Sequence, residues 1–182
     1  MVKVLLPFPV IGLIIILINR YFSSRENETE LKTGPLLTAG FFLGLGMGVF
    51  LDGILLHQLL QWHQIISNVL PPDTLLNKQV NTFWDGILSL FTWGFTVTGL
   101  ILLWRLFFKK NVIITTRLFV GSLLLGWGIF NATDSILNHY ILQLHNIRDI
   151  TENPMLYNHV FFAFAIVLIL VGWRLVIPKK AL

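Results

Sequence analysis

The sequence predicts an all-α membrane protein: a four-helix transmembrane bundle made of two parallel repeated hairpins, with a short N-terminal transmembrane helix beside it. Three observations lead there. Of the 182 residues, 55% are hydrophobic and only 12% charged, where a soluble domain carries about 25% charged residues. Long apolar runs recur near the roughly 20 residues that a helix needs to cross hydrocarbon. And one rare pattern of polar residues, beginning at Asp52, returns at Asp134.

The elements follow in chain order. Residues 4–18 are apolar but short, and hold Pro7 and Pro9. No small-residue cleavage site follows, so the segment reads as a short span, with an interfacial helix as the alternative, rather than a signal peptide. Four longer runs, 36–66, 83–106, 118–144 and 155–177, qualify as spans by length and composition. The chain then divides into an apolar segment and polar linker (1–34), a first hairpin (35–110) and a second hairpin (111–182), the whole forming one domain. Ten of the thirteen lysines and arginines fall on one side of this arrangement: Arg20, Arg25, Lys32, Arg105, Lys109, Lys110, Arg117, Arg174, Lys179 and Lys180. The positive-inside rule makes that side cytoplasmic. The expected location is a bacterial inner membrane, with the N-terminus outside and the C-terminus in the cytoplasm. The net charge of +4 is not gathered into a basic face with interleaved aromatics, so nucleic acid is set aside as a partner.

The repeat is specific. Asp52, His57, Gln61 and His63 meet Asp134, His139, Gln143 and His145 at constant spacing, in a shared D-x-I-L-x-H-x-x-L-Q-x-H-x-I. The following helices end alike, at Trp104–Lys110 and Trp173–Lys180. Two helices per copy give a parallel repeat related by an axis along the membrane normal. Gly40, Gly44 and Gly48 form a small-xxx-small ladder suited to close helix packing, continued in the second copy by Ser122 and Gly126.

Ionisable side chains are expensive in lipid and mark function by default. At about 1.5 Å of rise per residue, Asp52, His57, Asp85, Asp134, His139 and His159 fall in one layer, about 21 to 33 Å from the basic end. His63 and His145 lie about 9 Å further out by the same count, as a loading station at the outer surface. At about 100° per residue, Asp52 and His57 differ by about 140° around their helix, which favours pairing between helices over pairing within one.

The convergence of His and Asp suits a borderline transition metal: zinc, iron, manganese or copper as Cu(II). The chain has no cysteine and three methionines, which argues against a thiolate or thioether site. The expected ligands are His57 and His139, with His159 and Asp85 completing the site and Asp52 and Asp134 orienting or ligating. Haem b is the alternative, with His57 and His139 as axial ligands. A third alternative is a structural membrane subunit whose Asp–His network only fixes helix register. A proton path is disfavoured, because nothing polar continues from Asp52 or Asp134 toward the basic end. No hydrolase or phosphate-binding signature is present, so a binding role is favoured over catalysis. Trp84, Trp93 and Trp127 read as packing or interface tryptophans.

The run from Gly44 to His63, with Pro71–Pro72–Asp73–Thr74, Asp85 and the Asp134–His139–His145 set, resembles an uncharacterised family of bacterial multi-pass membrane proteins. The resemblance spans about residues 36–177. It implies a setting near proteins that deliver copper to respiratory oxidases, with an oxidase or its assembly factors as partners besides the bilayer.

Overall fold

The structure is a computed structural model that describes Leu17 and residues 31–177. The expected N-terminal span, residues 4–18, lies outside the described residues apart from Leu17. Four helices are long and apolar enough to cross a membrane: α1 (Gly34–Leu59), α2 (Leu75–Phe108), α3 (Thr116–Ile141) and α4 (Pro154–Val176). No strand occurs among the described residues; Lys32 and Val112 form one isolated bridge.

Local chemistry sets the helix starts. Proline stands in the first turn of α1 and α4, where its missing N–H has no intrahelical partner to lose. Thr74, Thr115 and Asn153 cap the other N-terminal amides, accepting from Asn77, Leu118 and Leu156 at 3.2 Å each. The Thr74 cap explains why α2 begins at Leu75 rather than near 83 as composition suggests. Its first turns are polar. At the basic end, the Lys32 N–H donates to Asn111 at 2.7 Å and the Ile113 N–H to Lys32 at 2.9 Å, which ties the start of α1 to the α2–α3 connection. Arg117 closes the same end by donating to the carbonyls of Arg174 and Ile177.

α1 and α3 form the centre. Half of the apolar window of α1 and 56% of that of α3 are buried, against 11% for α2 and 22% for α4. The core is built mainly from α1 and α3: Leu36, Phe41, Leu45 and Val49 against Leu118, Leu125 and Phe130. Trp93, Leu100, Val160 and Leu170 on α2 and α4 stay exposed, as faces turned to acyl chains do.

The two hairpins are related by a pseudo-twofold. A β-carbon on Gly44 would strike the Leu123 carbonyl, and one on Gly126 would strike the Phe41 carbonyl. Phe41 and Gly44 are the repeat counterparts of Leu123 and Gly126, so the two clashes are one contact seen twice. The outer helices match as well, but not where their ends suggest. Gly46 packs on Thr92 and Thr96, Gly128 on Ala165 and Ile169; Gly99 meets Leu43, Gly172 meets Leu125. α2 and α4 therefore correspond at a separation of 73 residues. Aligning Trp104 with Trp173 places them about one helical turn out of step, and that misalignment bears on the site below.

The crossing predicts an asymmetry among glycines. Gly44→Ala and Gly126→Ala each force backbone apart and should destabilise by about 1–3 kcal/mol. Gly94→Ala, where a β-carbon has open space, should be neutral or slightly stabilising. Thermal unfolding in detergent reads the difference.

Candidate metal centre

Both central helices end in the same unusual way. Gly53–Leu59 and Ser135–Ile141 are π-helical turns at equivalent positions. Leu60 donates to Leu55 and Trp62 to Leu56; Leu142 donates to Leu137 and Leu144 to Asn138. Gln61 and Gln143 then both adopt φ of 50°. That left-handed conformation costs a non-glycine residue about 1–2 kcal/mol, and it reverses the chain. Residues 62–66 and 144–147 fold back over the helix ends instead of continuing outward.

The reversal corrects the expected position of two histidines. His63 and His145 do not stand beyond His57 and His139; they return to their level. The ring centroids of His57 and His63 are 4.3 Å apart, and those of His139 and His145 are 4.6 Å apart. His63 and His145 stack on each other at 4.7 Å with an interplanar angle of 1°. The four rings thus run in the order His57, His63, His145, His139.

Every ring presents Nδ1 to an oxygen acceptor. His63 donates to the Ile147 carbonyl at 2.8 Å, and His145 to the Ile65 carbonyl at 2.9 Å, so each copy's second histidine is held by the other copy's backbone. Nδ1 of His57 lies 3.0 Å from Asp85 Oδ1, and Nδ1 of His139 lies 3.3 Å from Asn158 Oδ1. The Asn158 amide is oriented by the Ile147 N–H donating to its oxygen and by its own NH₂ donating to Asn146. Asp85 Oδ1 likewise accepts the Ile65 N–H at 3.1 Å. Asp85 and Asn158 therefore do one job in the two copies, and they stand at the helix register found above. With Nδ1 donating, Nε2 of a neutral ring carries the lone pair, so its contact with a carboxylate oxygen calls for a second proton on the ring or a cation between the two. His139 Nε2 lies 3.2 Å from Asp134 Oδ2, and His145 Nε2 lies 4.0 Å from the same oxygen. Asp134, His139 and His145 each offer a ligand atom within 4.8 Å of the others.

The remaining candidates are placed as follows. Asp52 accepts the Trp127 indole N–H at 2.7 Å and the Asn131 amide at 2.9 Å, which turns its carboxylate to a structural lock between α1 and α3. Asp85 stands behind His57 as its acceptor. His159 is exposed, against the Tyr140 ring at 5.8 Å, and is not brought into the group. Asn158, one residue earlier and about 100° around the helix, faces inward instead. Asp134 and His139 pair within one helix, against the expectation drawn from ideal α geometry, because a π turn stacks residue i over i+5.

Several partners that matter here escaped sequence reasoning, and Trp127, read there as a packing or interface residue, also has a polar role. Trp127 and Asn131 hold Asp52; Asn138 donates to Asp134 Oδ1 at 2.7 Å; Asn81, fully buried, accepts the Ile66 N–H and donates to the Leu70 carbonyl. For Asn131 the available signal was an amide in an otherwise apolar stretch; Asn81 stands in the polar start of α2 and Asn138 beside His139. Between the copies lies a cavity of about 30 Å³ lined by Asp52, His57, His63, Asn131, Asp134 and His145. It has room for an ion or a water. Val49, Leu88, Phe130 and Phe161 complete its wall.

The sequence family described as "Predicted membrane protein (DUF2243)" matches residues 39–179, and the chain belongs to it. No curated protein and no solved structure matches the chain.

Burial holds His63 well below its ordinary value of 6.5, with the charges of the neighbouring histidines adding to the effect. Burial, then His139, pushes His145 down to about 3. Both lie outside the spans. In the unfolded chain these rings take up protons from about pH 6.5 downward, whereas the fold resists. Their contribution to stability is complete above that value and is lost progressively as the pH falls below it. Metal-stripped protein in detergent should therefore melt at a lower temperature at pH 5 than at pH 7.5. A His63→Gln/His145→Gln variant should show a shallower dependence.

Proposed function

We propose that this member of the family binds a transition metal ion at the histidine end of its bundle, through Asp134, His139 and His145 with His57 and His63 beside them. One observation carries the reading: all four rings have Nδ1 on an acceptor, supplied by Asp85, Ile147, Asn158 and Ile65. A ligating histidine keeps its second nitrogen on such an oxygen, which fixes the tautomer and aims the other lone pair. A packing histidine has no need of three neighbours with the same nitrogen engaged. Imidazole with carboxylate suits zinc, iron, manganese or Cu(II). The residues fit haem b less well. As axial ligands, His57 and His139 would have to face each other across a porphyrin, and His63 and His145 stand in that space.

Arg105, Lys109, Lys110, Arg117 and Arg174 at the opposite end support a cytoplasmic placement for that end and an external one for the centre. A centre of this chemistry at the outer face of an inner membrane fits metal storage, or transfer to a respiratory oxidase or its assembly factors. The oxidase rests on the resemblance alone.

Metal analysis of purified, metal-supplemented protein tests the reading. Stoichiometric metal is expected in the wild type, lost in His139→Ala/His145→Ala and retained in His159→Ala. Asp85→Asn should lower affinity about 10–100-fold, as loss of an outer-shell partner does. A Soret band would replace metal by haem, and a well-folded protein that takes up no metal would leave only the structural role.

A further inference from the structure

Arg148 lies between the Trp62 and Tyr157 rings, 5.3 Å from each centroid, and donates to the Tyr157 hydroxyl at 2.8 Å. Cation–π contacts of this kind, partly shielded from water, hold a side chain firmly, and here they pin the returning segment of the first copy to the second. Beside that clamp, with Trp62 in its wall, a crevice of about 700 Å³ runs from Pro71 and Pro72 down to Asp85. Helix α2 lines it with Lys78, Thr82, Asp85 and Ser89, one face at helical spacing.

Among the described histidines, His57 and His63 alone line both this crevice and the inner cavity shared by His145 and Asp134. They are the wall between the two spaces. We propose that the crevice is the loading site of the centre, where a hydrated divalent cation first meets His57 and His63 before reaching the Asp134–His139–His145 group. The proposal rests on the metal reading above and adds the route.

The lining chemistry fits such a ligand. Asp73, Asp85 and Asp149 face the crevice with Lys78 as the cation among its lining residues, a negative balance that concentrates cations. Gln58, Gln61, Gln64, Ser67 and Asn68 offer oxygens that can replace shed hydration waters one at a time. Asp85 holds the His57 ring by Nδ1, leaving Nε2 as the first nitrogen donor. From the basic end the inner cavity is shut by Val49, Leu88 and Phe130.

Gly86 lines the crevice, and a β-carbon there would meet nothing within 4 Å. The chain has no cysteine, so Gly86→Cys can be labelled with a bulky maleimide after the protein has folded. Cobalt(II) is the probe, its visible absorption reporting loading in stopped flow and its removal by EDTA. Labelling Gly86→Cys, or substituting Gly86→Trp, should slow both processes about ten-fold, as a narrowed path to a binding site does, with stoichiometry unchanged. His159→Ala, at an exposed position outside the crevice lining, should load at the wild-type rate. Equal rates before and after labelling, or loading slowed as much in His159→Ala, would overturn the route and leave the metal reading standing. A wild type that binds no cobalt would overturn both.

Discussion

The site depends on a reciprocal exchange: His63 donates to the Ile147 carbonyl and His145 to the Ile65 carbonyl. Neither hairpin can complete this alone. A buried backbone carbonyl needs a donor, and a buried imidazole N–H needs an acceptor. Each copy supplies what the other lacks. The exchange is possible only because Gln61 and Gln143 turn the chain back at φ of 50°. The strain of two left-handed glutamines is offset by the bonds that the reversal creates. The Gly44–Gly126 crossing lies further down the same axis and brings the helices near enough for the returning segments to meet.

The duplication is close in backbone and deliberately unequal in side chains. In the second copy Trp127, Asn131 and Asn138 stand where the first has Leu45, Val49 and Leu56. Asp52 therefore finds two neutral donors across the interface, while Asp134 finds no counterpart and turns to His139 and its own helix. The outer helices break the symmetry in the opposite sense, since His57 leans on the Asp85 carboxylate and His139 on the Asn158 amide. One copy thus sets a carboxylate oxygen among ring nitrogens, and the other sets a carboxylate behind its first histidine. A symmetric ancestor with identical halves would have had neither distinction.

Much of this was legible in the residues. Composition and apolar run length gave four spans, and the spacing of Asp52, His57 and His63 against Asp134, His139 and His145 gave the twofold and most of the cluster. What misled was the assumption of ideal helix. Counting 1.5 Å per residue carried His63 and His145 outward past the point where the chain in fact reverses. A 100° step set Asp134 and His139 apart although a π turn brings them together. Neither the π turns nor the left-handed glutamines has a composition signal, because glutamine is not a residue that announces positive φ. The depth count took in His159 and passed over its neighbour Asn158, which carries no charge to mark it. Which of two adjacent residues faces inward is decided by register, and the likeness between Trp104 and Trp173 gave the wrong register.

Charge supplies the last constraint. Asp52, Asp85 and Asp134 sit together in the half of the bundle far from its basic end, and among the described residues no lysine or arginine forms an ion pair with them. Their ring contacts among the described residues are His57–Asp85, His139–Asp134 and His145–Asp134, ion pairs only where the ring is protonated. Neutral donors can stabilise one carboxylate, as Trp127 and Asn131 do for Asp52. They cannot balance three in a region of low dielectric, where uncompensated charge is severely unfavourable. The charge can be relieved by protons on the carboxylates themselves, by protons on the histidines or by a bound cation. Burial opposes histidine protonation at His63 and His145, and a bound cation would answer both the carboxylate charge of the layer and the lone pairs of its ring nitrogens.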